Sequence, residues 1–353
     1  MYKMGLPRPA RDGELVAFDV EMYGMSAPHR GDGTFAGMSI AYGNGDTYLI
    51  DDQTDVGPAL ERISEGVWVA QNALFDLRVL RRYVTIEQRY IHDTLLVEQD
   101  LYGGWFDRFS LQNLTRRYLR YKRDKSLQTK FEHAAEMTPE MEEYSVQDAV
   151  DTVRIAELQR EYIESELGGE FSWYTDIDEP AIWALLDIKP NRVDVDAWLA
   201  HIETMKEIAI QKEADLGFNV YSHAVTKKMI EAELGRKIKS TNAKSVLEPL
   251  LARIDPQGKP ARLIREILEV RQARKAVETY GESWIEQHVD NGYVYPSWKI
   301  TGAETGRMSC SRPNMQNIPA RKMPIFRTFF PASLGHVMQV ADVSQQEPGF
   351  SAF

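Results

Sequence analysis

A chain of 353 residues can hold two or three domains with their own cores, and 43% hydrophobic with 27% charged residues is ordinary globular composition. No apolar run approaches the roughly 20 residues that cross a bilayer, and the amino terminus lacks the basic-then-apolar layout of a signal peptide, so no membrane partner is expected. Cys310 is the lone cysteine, which rules out an internal disulfide and points inside the cell, while seven scattered histidines disfavour zinc and leave carboxylate-held hard cations open.

Forty-two basic against 53 acidic residues leave a net charge of −11, a weak argument against nucleic acid. Local fields differ from the total. Residues 114–131 carry seven basic groups and one acid, and residues 299–327 carry six and one. Either run alone could be a solvated face; two beside acidic motifs suggest a phosphate-binding surface.

Residues 14–21 alternate, so Phe18 and Val20 share one strand face and Asp19 and Glu21 the other. A turn-rich stretch follows, then a hairpin around Gly43, Asn44 and Gly45. Residues 57–66 predict a helix, 67–72 a short buried strand, 74–82 a helix, 110–122 another, and 145–164 a long one. Gly168 to Pro180 clusters Gly, Asp and Pro and marks a boundary. Helices are then expected over 194–217 and 222–235, each stopped by a glycine, the second started by Ser222. In 262–281, Leu263, Ile264, Ile267 and Leu268 make an apolar stripe. From about 292 strands and irregular chain return, and a buried strand is expected to deliver Asp342.

Four carboxylates and a tyrosine come from separate elements of the first domain. Asp19 and Glu21 share a strand face, Asp76 falls in the first turn of a helix, and Tyr144 and Asp148, four apart, stack on another. Gathering such acids is costly unless cations neutralise them. Two divalent ions about 4 Å apart would do so, and would bind a scissile phosphate, activate water and stabilise a leaving 3′-oxygen. Each fragment alone is weak. The order DxE, NxxxFD, YxxxD, each in a suitable element, is much stronger.

The segments "FDVE", "NALFD" and "YSVQD" resemble the Exo I, II and III motifs of the DEDDy 3′-5′ exonucleases, and "HDTLLVEQDLYG" is similar to the stretch between the second and third. The resemblance implies a ribonuclease-H-like fold with two Mg²⁺ or Mn²⁺ ions. It makes Asp19, Glu21, Asp76 and Asp148 metal-binding and catalytic, Tyr144 the water-orienting residue, and Asn72 a neighbour of the terminal nucleotide.

In the carboxyl-terminal half, "TGRMSCSRPNMQNIP" and "DVSQQEPGF" resemble the primer-template element and motif A of family A DNA polymerases, the class of bacterial DNA polymerase I and the T7-like phage enzymes. On that resemblance Arg307, Gln316 and Asn317 hold primer-template, Asp342 is a polymerase metal ligand, and Glu347 sits against the incoming sugar. Val343 and Gly349 depart from the usual tyrosine and arginine of motif A. Motifs B and C are missing, so a polymerase metal at Asp342 would need a completed palm and fingers, possible from a second polypeptide, and polymerisation by the chain alone is not expected.

The expected architecture is α/β: a ribonuclease-H-like (DEDDy) exonuclease domain over 1–167, a linker over 168–190, a helical thumb over 191–291 and an incomplete α+β palm over 292–353. The expected partners are DNA primer-template and single-stranded 3′ ends, in the cytoplasm of a bacterial or phage-infected cell. The rivals are a non-catalytic DNA-binding or assembly subunit of a split polymerase, and an exonuclease acting chiefly on RNA. A Rossmann enzyme fits poorly, because no GxGxxG follows the first strand.

Overall fold

The computed structural model of the protein describes residues 2–24, 33–106, 108–123, 128–303 and 305–344. The chain forms two compact units. The first joins Met1–Lys189 to Tyr295–Asn317, and the second joins Pro190–Val294 to Ile318–Phe353.

The first unit is built on a six-stranded mixed sheet. Its strands are β1 (Lys3–Met4), β2 (Leu15–Tyr23), β3 (Thr34–Tyr42), β4 (Thr47–Ile50), β5 (Val67–Ala70) and β6 (Ile91–Asp93), in the order β1-β4-β3-β2-β5-β6. β2 pairs antiparallel with β3, setting Asp19 opposite Ser39 and Glu21 opposite Gly37, and parallel with β5. The alternation expected for β2 is present: Val16, Phe18, Val20 and Met22 are buried in the main core. That core also takes Leu77 and Leu80 of α2 (Ala73–Leu80), which follows α1 (Val56–Arg62).

The opposite face of β2 meets a different partner. After α3 (Thr94–Tyr102) and the short α4 (Leu111–Leu114), the long helix α5 (Pro139–Leu167) crosses the sheet. It starts six residues earlier than the periodicity suggests, because Thr138 caps it through the Met141 N–H and Pro139 occupies the first turn. Ala17, Ala41 and Val69 of the sheet pack on Ala149, Val153 and Ala156 of α5. These small side chains bring helix and sheet close. Asp19 and Glu21 lie on the same strand face as Ala17 and therefore turn towards α5.

The helix expected over 110–122 is shorter. Past α4 the chain makes a π-helical turn, Thr115–Leu119, and stops at Arg120 in the left-handed region (φ 65°). Beyond it, Tyr121 and Arg123 are fastened to Asp151 of α5 instead of continuing the helix. A further helix, α6 (Glu179–Leu186), closes the run that begins past the α5 C-cap, Gly168.

In the second unit α7 (Val195–Leu216) and α8 (His223–Leu234) end at Gly217 and Gly235, both at positive φ, as their sequences require. Ser222 precedes α8 but makes no side-chain cap; its carbonyl accepts the Thr226 N–H instead. After α9 (Glu248–Leu251) comes α10 (Lys259–Tyr280), where Ile264 and Ile267 are fully buried and Leu263 and Leu268 flank the same core. Trp198 stacks on Trp284 of α11 (Glu282–His288) at 4.5 Å between ring centroids. A small sheet of β7 (Asn191–Arg192), β8 (Val289–Asp290) and β9 (Tyr293–Val294) completes this unit with α12 (Ile325–Thr328). The hairpin partners β10 (Ser297–Lys299) and β11 (Ser309–Ser311) belong to the first unit.

The buried strand expected before Asp342 does not form. Residues 336–343 carry no regular structure, and Val337 and Val340 are 91% and 83% exposed. A strand needs a neighbour for its backbone donors and acceptors, and among the described residues none pairs with this segment. Among the described residues, no helix is long and apolar enough to cross a membrane.

Candidate active site

Three of the four sequence-selected acids converge. Ligand oxygens of Asp19, Glu21 and Asp148 all lie within 4.8 Å of one another, two from β2 and one from α5. Asp76 stands outside this trio. It is 2% exposed, and its Oδ1 accepts the Val20 N–H at 2.9 Å, locking the first turn of α2 to the strand between the two β2 acids. Ser39, opposite Asp19, donates its hydroxyl to the Ser145 carbonyl at 2.8 Å and pins α5 to β3 beside the site.

The electrostatics are those of crowded, desolvated carboxyls. Burial pushes Asp19 up to about 6, with Arg123 opposing the rise. Glu21 is pushed well above the usual range by burial and then by Asp19; Asp76 is raised by burial and then by Asp19, against the Val20 N–H. An all-oxygen donor set at this spacing suits a hard divalent ion, which would relieve the mutual repulsion. The residues fit such an ion.

The site opens into a cleft of about 650 Å³ lined by Asp19, Glu21, Asn72, Tyr144 and Asp148 among others. Tyr144 is half-buried one helical turn before Asp148. Asn72 is exposed at the rim in the left-handed region (φ 66°, ψ 53°). Trp298, Lys299, Ile300, Thr301 and Gly302 form part of the wall, with Gln99 of α3 donating to the Thr301 carbonyl at 3.0 Å.

Sequence reasoning missed three side chains here. Asp93 uses its carboxylate to accept the N–H groups of Asn72, Ala73 and Leu95. Arg123, 7% exposed, pairs with Asp148 and with Asp151 (2.7 Å). Asp151 is itself fully buried, and its signal was the three-residue step from Asp148 along one helix.

The polymerase-type residues are dispersed by comparison. Arg307, Gln316 and Asn317 are exposed; the Gln316 amide donates to the Met308 carbonyl at 3.2 Å, and the Asn317 N–H to the Asn314 carbonyl at 3.1 Å. Asp342 is exposed, and among the described residues it joins no acidic group of metal-binding spacing. Glu347 lies outside the described residues.

Comparison with known proteins agrees with this division. A 3′-5′ exonuclease family model matches residues 8–162, and the DNA polymerase family A model matches residues 195–352. DNA polymerase I of Aquifex aeolicus is 28% identical over 85% of this chain and 54% of its own length. DNA polymerase I of Pseudomonas aeruginosa is 27% identical over 95% of this chain and 40% of its own. The chain thus spans about half the length of these relatives, or less. Among solved structures, the POL domain of Pol1 from M. smegmatis, in complex with DNA primer-template and dNTP, superposes with a TM-score of 0.64 at 18% identity, covering 95% of this chain and 59% of that one. The likeness extends to fold. With the exonuclease match spanning the elements that carry the acidic cluster, the chain carries a 3′-5′ exonuclease domain over residues 8–162 joined to part of a DNA polymerase family A domain over residues 195–352.

Proposed function

We propose that the first unit hydrolyses the 3′-terminal phosphodiester of DNA, releasing a 5′-dNMP in a proofreading role. The observation that carries this is the convergence of Asp19, Glu21 and Asp148, with Tyr144 one turn away, on a single cleft. Asp19, Glu21 and Asp148 would hold divalent ions, Mg²⁺ or Mn²⁺, with Asp76, on which the charge of Asp19 acts, as the fourth metal-binding carboxylate. Such ions, when bound, supply a water of lowered pKa and neutralise charge at the phosphorus and the leaving 3′-oxygen. Tyr144 orients the water in line with the P–O3′ bond, which breaks as the P–O bond to water forms; the 3′-oxygen leaves with a proton. Asn72 lies at the rim where the terminal nucleotide would enter.

The second proposal concerns the carboxyl-terminal part. Arg307, Gln316 and Asn317 would hold primer-template, and Asp342 and Glu347 would serve polymerisation only when fingers and the remaining palm are supplied, as from a second polypeptide.

One observation favours a non-catalytic DNA-binding or assembly subunit instead: Asp148 and Asp151 already share an internal counter-ion, Arg123. A 5′-labelled primer-template with Mg²⁺, with and without dNTPs, separates the readings. Stepwise 3′ shortening that disappears in Asp19→Ala, with no extension, is the expected result. An untouched primer in both Mg²⁺ and Mn²⁺ would sink the nuclease reading. Parallel deoxy and ribo 3′ ends test the RNA alternative.

A further inference from the structure

The Arg123 guanidinium already engages one of the three carboxylates that would hold a cation. It pairs with Asp148, one member of the trio, and with Asp151 one turn further along α5. Its charge also reaches Asp19 and Glu21, lowering both against the effect of burial, and its guanidinium lies 5.2 Å from the centre of the Tyr144 ring. Arg123 is therefore in contact with, or acting on, four of the five residues of the proposed nuclease site.

Its mooring is built. Asp151, fully buried, takes the Arg123 Nη1 at 2.7 Å, the Gln147 amide at 2.8 Å and the Tyr121 hydroxyl. Left-handed Arg120 turns the chain so that Tyr121 and Arg123 both reach this carboxylate. Asp148 belongs to the trio and Asp151 does not. A guanidinium held by Asp151 can thus release Asp148 without being left as an unpaired buried charge.

We infer that Arg123 is an internal counter-ion that competes with the divalent cation for Asp148, holding the site in a low-affinity state until the metal displaces it. The inference rests on the metal-binding reading of the trio. Two positive groups cannot share one carboxylate at contact distance without repulsion, so each weakens the other. Arg123 stays tied to Asp151 while Asp148 passes between guanidinium and metal. The consequence is a metal affinity set below what three clustered carboxylates would otherwise give.

The test is Mn²⁺ binding by electron paramagnetic resonance and calorimetry, with no nucleic acid present, on wild type, Arg123→Gln and the double variant Arg123→Gln/Asp151→Asn. The double variant removes the buried carboxylate that the single change would orphan, and circular dichroism checks that each chain folds. Competition predicts that Arg123→Gln binds Mn²⁺ about tenfold more tightly than wild type, the effect of removing one unit charge close to a divalent ion at a solvent-connected site. The double variant, whose net charge is unchanged but whose Asp148 has no competing guanidinium, also binds more tightly than wild type. Unchanged or weaker Mn²⁺ binding in a folded variant overturns the inference and makes Arg123 a residue that merely positions Asp148. If neither wild type nor variants bind Mn²⁺, the metal reading fails and the inference fails with it.

Discussion

Asp93 accepts the N–H of Asn72 at 2.9 Å across 21 residues of chain, and the same carboxylate takes the next N–H, that of Ala73, at 2.8 Å. It also caps its own helix, α3, through Leu95. One buried side chain thereby joins the starts of two helices, one of which carries Asp76. Asp93→Ala would orphan these donors in a dry environment, at a cost of about 3 kcal/mol. Urea unfolding checks it, and a loss below about 1 kcal/mol would mean that the three bonds do not tie the helices together.

Asn72 offers a cleaner separation of backbone from side chain. At φ 66° it occupies the region where glycine is at ease and most residues are not. Asn72→Gly is expected to leave stability within about 1 kcal/mol of wild type. If the Asn72 amide touches the terminal nucleotide, KM for a single-stranded 3′ end rises about tenfold, the size of one lost hydrogen bond. Unaltered KM in the folded variant would remove Asn72 from the DNA-binding set.

Tyr144→Phe deletes only a hydroxyl. With Tyr144 as the water-orienting group, kcat falls about 10- to 100-fold while Mn²⁺ affinity is unchanged. A parallel fall in metal affinity would instead assign the hydroxyl to the integrity of the acidic cluster.

His92 is a buried reporter of pH. Its ring nitrogen meets the Gln159 side-chain oxygen at 3.0 Å, and burial pushes its pKa down to about 4 from 6.5. The unfolded chain therefore binds the extra proton first, and His92 favours the folded state less as pH falls through the window from 6.5 to 4. Relative to His92→Gln, wild type should lose up to about 3 kcal/mol between pH 7 and pH 4. Comparing the two proteins cancels the opposing titration of raised carboxyls such as Asp93, which lies at about 6. A pH-independent difference would show that His92 titrates alike in both states.

Much of the site was legible because local rules decided it. Alternation placed Asp19 and Glu21 on one face of β2, and helical spacing stacked Tyr144 on Asp148. The misses are residues whose partners are distant in sequence. Arg123 was visible only as one charge in a basic run, since nothing in 114–131 says which cation will be drawn inward by Asp151. Asp93 was quoted within a motif, yet its bonds to Asn72 and Ala73 depend on β6 lying beside β5. The segment before Asp342 failed for the converse reason. Its hydrophobic pattern was strand-like, but a pattern cannot supply the neighbour that a strand needs.

The wall formed by Trp298 to Gly302 has a consequence for deletion mapping. Ile300 is buried in the core of the nuclease unit, and Thr301 exchanges hydrogen bonds with Gln99, although both residues fall within the span of the polymerase family match. The segment that supplies the acidic cluster therefore does not supply the whole of the unit that holds it. A fragment cut at Lys189, however intact its acids, would carry a core with a missing piece and a cleft open on one side. The spans that match the exonuclease and polymerase models are therefore interleaved in the fold, and a truncation between them would remove part of the core and wall around the acidic cleft.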